Sequence, residues 1–271
     1  MNLGINVRIG IWVDDLRLGV RGGLKHAEAL ACEAVGIDAF TKDLNPQTLS
    51  QTGRRELAHK CRAAGVTLAA LRADVGGRRL AEAQSVDVAL GRLRASFDLA
   101  RDLGAARVVV PLGFVPPAAD KGRERATLTE AAKVLAQWGS QTGVRPALLG
   151  GAEPPDDLAQ FLDGIDSAGF LELDLNPGGY LMRGVQPLDA LNRLSKRVAL
   201  ASSSDAYRGG GEAAFSHGDV PWGEVLVGLS ALARNEPLAM LCGCTRECDR
   251  VQALGAAVAG LKKRRLNPLA R

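Results

Sequence analysis

Along the chain, the apolar and polar positions fall into a unit that repeats. A stretch with helical spacing ends on a glycine, and a short β-rich apolar run follows. The unit occurs at Cys32-Glu33-Ala34-Val35-Gly36 before Ile37-Asp38-Ala39-Phe40, and at Arg62-Ala63-Ala64-Gly65 before Val66-Thr67-Leu68. It returns at Arg101-Asp102-Leu103-Gly104 before Arg107-Val108-Val109-Val110, at Gln141-Thr142-Gly143 before 144–148, and at Ser167-Ala168-Gly169 before 170–173. A glycine just past a helix end adopts the left-handed conformation that other residues resist, so each of these marks a helix stop feeding a strand. Apolar runs at 8–13, 197–202 and 237–242 bring the strand count to eight. The spacing predicts helices over about 22–35, 47–64, 85–103, 122–140, 155–167, 187–195, 222–234 and 246–262.

Strict alternation of strand and helix implies a parallel sheet with right-handed crossovers. Eight such units in 271 residues favour closure, so the expected fold is α/β, a single (β/α)8 barrel domain spanning residues 1–271. Strands buried on both faces should read as continuous apolar runs, and these do. The Pro- and Gly-containing break at 113–120 reads as a long loop after the fourth strand. Functional groups in this fold gather where the strands end, which directs attention to 12–15, 42–43, 72–74, 112–114, 149–153, 174–179, 202–205 and 241–244.

Composition narrows the function classes. Apolar residues make up 46% and charged residues 24%, enough to bury a large core. The net charge of +4 is small, and aromatics at 4% are too few for a base-stacking platform, so no nucleic-acid partner is expected. The one concentrated basic run, Lys262-Lys263-Arg264-Arg265, reads as a solvated helix end, with contact to an acidic surface as the alternative. Residues 1–13 lack the charged and apolar regions of a signal peptide, and no apolar run is long enough to span a membrane. Five cysteines in a chain of this size read as reduced thiols, so a cytoplasmic location is expected.

Four segments carry a likeness to a known family. They are 43–57 leading into the 65–70 run, then Glu153-Pro154-Pro155, then Leu175-Asn176-Pro177-Gly178-Gly179-Tyr180-Leu181-Met182-Arg183-Gly184, and last Ser202-Ser203-Ser204-Asp205-Ala206 with Gly218-Asp219-Val220-Pro221-Trp222. In these the chain resembles the sugar phosphate isomerase/epimerase branch of the xylose isomerase-like barrels. The resemblance implies one divalent metal held by a Glu on strand 5, an Asp on strand 6, a His on strand 7 and a Glu on strand 8, with two of the carboxylates moving a proton beside a carbonyl. It places those roles on Leu149, Asn176, Ser202 and Leu241 (or Gly243), and none of these carries the expected group. Leu offers no lone pair, and neutral oxygens hold a hard cation weakly.

The expectation is therefore a pseudoenzyme. It would be a barrel with its metal ligands replaced and no cofactor, inactive or weakly active, binding a small polyol or sugar; association with like chains is compatible with the fold. Two alternatives stand beside it. One is an active isomerase or epimerase with a site shifted onto Asp174, Asp205 and Glu153. The other is a non-catalytic scaffold with Leu149 and Leu241 plugging the mouth.

The remaining candidates each have a plain reading too. Asp174 shares a strand face with Asn176 and is either a displaced acid or a buried, satisfied carboxylate. Asp205 either binds a sugar hydroxyl or caps its own loop. His217 either closes over the ligand or lies on the surface. Arg183 and Arg208, with Gly209-Gly210-Gly211, form an anion cradle or a plain glycine loop. Trp12 either walls a sugar ring or packs the core beneath the mouth. Cys242, Cys244 and Cys248 either supply thiolates to zinc or remain free thiols.

Overall fold

The computed structural model describes residues 5–73, 75–76, 79–116, 122–151, 153–165, 169–232, 237–243 and 249–268. Eight parallel strands close into a barrel: β1 (Arg8–Trp12), β2 (Ala34–Asp38), β3 (Thr67–Arg72), β4 (Arg107–Val110), β5 (Arg145–Gly150), β6 (Glu172–Leu175), β7 (Val198–Ser203) and β10 (Leu238–Leu241). A two-stranded hairpin, β8 (Asp205–Ala206) with β9 (Glu212–Ala213), stands outside the barrel, just past the exit of β7. β1 closes the ring by pairing with β2 on one side (Gly10 opposite Ala34) and with β10 on the other (Arg8 opposite Leu238). Nine α-helices are found among the described residues: α1 (Gly19–Ala29), α2 (Gln51–Ala63), α3 (Val86–Leu103), α4 (Arg123–Thr142), α5 (Pro155–Ile165), α6 (Pro177–Met182), α7 (Pro187–Leu194), α8 (Trp222–Ser230) and α9 (Arg250–Leu266). None of them is long and apolar enough to cross a membrane.

Most glycine stops act as the sequence implies. Gly104 and Gly143 follow α3 and α4 with φ of +76° and +73°, and β4 and β5 begin within three residues. Gly36 does not. It lies inside β2, two residues after the strand begins, and α1 ends earlier than expected, with Ala31 supplying the positive φ of 49° at the turn. Gly36 is there for space: a β-carbon would overlap the indole ring of Trp12. The last helix begins at Arg250, where the Asp249 side chain accepts the amide hydrogen of Gln252 at 3.0 Å, rather than near 246.

Buried apolar residues form two groups. The larger fills the layer between barrel and helices. The smaller contains Trp12, Ala34, Ala69, Ala70, Val109, Ala147, Ala199, Leu200, Leu238 and Met240 and fills the barrel interior. The many alanines there leave room for two large plugs, Trp12 and Met240. Below them, Arg107 on β4 reaches across to Glu172 on β6 at 2.7 Å.

The basic run of α9 is not simply a solvated end: Lys263 is exposed, but its three basic neighbours are engaged with the protein. Lys262 donates to the Leu30 and Ala31 carbonyls at 2.9 and 2.7 Å, capping the end of α1. Arg265 donates to the Val7 carbonyl at 3.1 Å and to Glu33 at 2.6 Å, and Arg264 stacks over Phe215.

Candidate ligand site at the barrel mouth

Where the strands end, the barrel opens into a cavity of about 270 Å³ lined by Trp12, Asp15, Arg72, Val109, Leu149, Asp174, Asn176, Ser202, Ser203, Ser204, Glu212, Cys242, Gly243 and Arg250. Trp12 forms its floor. It is 1% exposed, and its indole N–H donates across the barrel to the Ser202 hydroxyl at 3.2 Å. The Arg72 guanidinium lies 4.8 Å from the ring centroid. Trp12 is therefore chiefly core packing that also shows an edge to the cavity, because both its faces are occupied, one by Gly36 and one by Arg72.

Arg72, the last residue of β3, is held by two carboxylates. It donates to Asp38 at 2.6 and 3.1 Å and to Asp15 at 2.7 Å. Burial works against its charge, but these acids outweigh that effect and keep it firmly protonated. Asp15 also accepts the Gly243 amide hydrogen at 3.0 Å, tying the first strand exit to the last. Asp14 accepts from the Asp38 amide at 2.7 Å, and burial pushes its carboxyl up to about 6.

Asp174 occupies the centre of β6 and is 1% exposed. Burial raises its carboxyl to about 7. The Ser202 hydroxyl and amide lie close enough to oppose that rise, yet neither reaches hydrogen-bonding geometry, and both carboxylate oxygens lack a partner. Neither plain expectation holds in full: this carboxylate is buried, and no neighbour satisfies it.

The positions that the family resemblance assigns to metal ligands now have definite surroundings. Leu149 lines the mouth, 36% exposed. The Asn176 carbonyl oxygen caps α6 by accepting from the Gly179 amide at 2.8 Å, and it also accepts from the Ser203 hydroxyl at 3.0 Å. The Ser202 hydroxyl is occupied by the Trp12 indole. Leu241 is a correction: it faces the helical layer, 1% exposed, and the next residue, Cys242, lines the cavity instead. Parity explains the slip, since successive side chains of a strand point to opposite faces. Burial and the nearby Asp15 hold the Cys242 thiol well above its usual range, so it stays protonated. Cys244 and Cys248 lie outside the described residues. Among the described residues, no three His, Cys, Asp or Glu side chains come together in a way that could hold a metal ion.

Five candidates fall outside this cavity. Asp205, 2% exposed, accepts amide hydrogens from Ala206 (2.9 Å), Val220 (3.1 Å) and Ser216 (2.9 Å), so it organises its own loop. His217 is exposed in that loop and does not line the cavity. Arg183 is exposed and lines a separate open groove of about 760 Å³ that shares Leu149 and Asn176 with the mouth. Arg208 is engaged with Gln186 and Asp219, not with Arg183. Glu153 is buried away from Asp174, beside Tyr180. The cavity also recruits Asp15, Arg72, Glu212 and Arg250, which no motif singled out. Asp15 and Arg72 do lie at strand exits, but Glu212 and Arg250 arrive from the hairpin and from α9.

No family model and no curated protein sequence matches the chain. Solved structures do. A xylose isomerase domain protein from Planctomyces limnophilus aligns with a TM-score of 0.81 over 96% of this chain and 98% of that one, at 21% identity. The fold is that of the xylose isomerase-like barrels. A 3-keto-D-glucoside 4-epimerase from E. coli aligns at 0.75, covering 95% and 99% of the two chains at 13% identity. The complex of D-allulose 3-epimerase from Methylomonas sp. with D-allulose aligns at 0.72, covering 96% and 97% at 14% identity. The barrel thus shares its architecture with these three structures, at identities that speak to fold alone.

Proposed function

We propose that this barrel binds a small polyhydroxylated ligand at its mouth without a divalent cation, and that metal-dependent isomerisation has been lost. One observation carries the reading. The mouth keeps a polar, ligand-sized cavity while Leu149, Asn176, Ser202 and Cys242 stand where anionic donors would be needed. A volume of about 270 Å³ lies near the lower end for small-molecule sites, which suits a single sugar ring or cyclic polyol. The neutral oxygens that remain are already engaged with the protein, and the Cys242 thiol is held in its neutral form.

The geometry counts against the two alternatives. Proton transfer from two sides of a substrate needs converging acids and bases. Of the three acids that the shifted site would use, Asp174 alone lines the cavity, because Asp205 is consumed by loop amides and Glu153 is buried elsewhere; Asp15, which also lines it, is held by Arg72. A pure scaffold would have an apolar plug at the mouth, and here Asp15, Arg72, Asp174, Asn176 and Ser202–Ser204 share the lining with Trp12, Val109 and Leu149 around an open cavity.

The test is calorimetric titration of aldoses, ketoses, their phosphates and cyclic polyols, with EDTA and then with manganese. The same panel is followed by NMR for exchange of C–H protons with deuterium. Binding that ignores EDTA, with no exchange, is expected. Manganese-dependent exchange at enzymatic rates would overturn the proposal.

A further inference from the structure

Among the described residues of the mouth, one buried carboxyl has no hydrogen-bond partner. Arg72 is divided between Asp15 and Asp38, and the deeper Arg107 is committed to Glu172. The Arg250 guanidinium reaches the Asp15 backbone carbonyl at 3.4 Å. Asp174 faces the cavity with both oxygens unpartnered. Asp15 and Asp38 both draw on Arg72, which leaves it little to offer Asp174.

From this juxtaposition we infer that the ligand of the mouth is an amino-substituted polyol whose ammonium group docks against Asp174. The inference rests on the polyol-binding reading and names the class of polyol. A ligand hydroxyl could donate one hydrogen bond to Asp174 but would bring no opposite charge to hold the carboxyl ionised. An ammonium group brings three donors and an opposite charge to the same place. Charge-assisted hydrogen bonds of this kind are shorter and stronger than neutral ones. The ligand hydroxyls would then meet the Ser202–Ser204 wall and Asn176. An anionic ligand such as a sugar phosphate would have Arg250 to pair with at the rim, but deeper in the cavity it would face the Asp174 carboxyl with Arg72 already shared. Ring stacking contributes little, since both faces of the Trp12 indole are covered.

The experiment uses the full chain at pH 7 and titrates matched pairs by calorimetry: D-glucosamine with D-glucose, D-galactosamine with D-galactose, D-mannosamine with D-mannose, and serinol with glycerol. At least one amine should bind at least tenfold more tightly than its hydroxyl partner. Asp174→Asn should bring that amine to its partner's affinity; Asp174→Ser serves the same purpose if the amide variant does not fold. Equal binding within every pair would overturn the inference and leave a neutral-polyol site standing. A preference that survives in the Asp174 variants would overturn it as well. Binding by no member of any pair would overturn this inference and the polyol reading together.

Discussion

Replacing Asp174 with asparagine keeps the side-chain shape and removes a buried, unpartnered charge. Burial moves the folded-state carboxyl from 3.8 to about 7, so the folded protein retains a proton that the unfolded chain releases. A raised carboxyl pKa therefore lowers stability as pH climbs from 3.8 through 7, and the loss levels off above that. At about 1.4 kcal/mol per pKa unit, the whole effect is about 4 kcal/mol, of which somewhat more than half develops between pH 5 and pH 8. The asparagine amide does not titrate, but left unpartnered it costs about 1–3 kcal/mol at every pH. Asp174→Asn is thus expected to be more stable than wild type by roughly 1–3 kcal/mol at pH 8, and level or less stable at pH 5. Urea unfolding followed by circular dichroism at pH 5, 6, 7 and 8 reads this directly. In thermal melts the difference between the two proteins should move by about 5 °C over the same range. A wild-type-minus-variant difference that stays constant with pH would refute the reasoning, because it would mean that Asp174 is ionised and paired in the folded protein.

Other substitutions test the surroundings. Gly36→Ala places a methyl group against the Trp12 indole and should cost about 1–3 kcal/mol, with a changed near-UV spectrum as the ring is displaced. Asp205→Ala removes the acceptor for three buried or half-buried amides and should cost at least about 2 kcal/mol; hydrogen exchange should speed up at Ser216 and Val220 while ligand affinity changes little. Lys262→Met removes the donor to the two carbonyls that follow α1 and should lower stability by about 1–3 kcal/mol, whereas Lys263→Met at the exposed neighbouring position should be nearly neutral in the same melts.

Much of the architecture is legible in the sequence because the fold is built from local signals repeated eight times. Gly65, Gly104, Gly143 and Gly169 all take positive φ, and each is followed within three residues by a barrel strand. The exception, Gly36, shows where local reading stops. Its neighbour in sequence reads as a helix end, but its reason for being glycine is Trp12, on another strand. The hairpin β8–β9 and the short α6 are too brief to leave a periodic pattern. At the mouth, the motif positions Asn176 and Ser202 are legible, and strand parity misplaces Leu241 by one residue. Asp15, Arg72, Glu212 and Arg250 come from four distant segments, and only closure of the barrel brings them together. The role of Asp205 was open between ligand and loop, because the amides that decide it lie 1, 11 and 15 residues downstream.

The ring of strands has a consequence for how the chain is made. β1 is synthesised first, but one of its two hydrogen-bonding edges waits for β10, more than two hundred residues later. Until residues 238–241 emerge, the nascent sheet carries open edges at both ends. Such edges pair readily with other chains, and contacts between segments so far apart in sequence form slowly. The α9 contacts to Val7, Leu30, Ala31 and Glu33 draw this helix onto the first strand–helix unit, so they act as a latch that can close only after β10 has been made. Loss of that latch should therefore appear first as poor yield during synthesis, before any defect in the finished protein is seen.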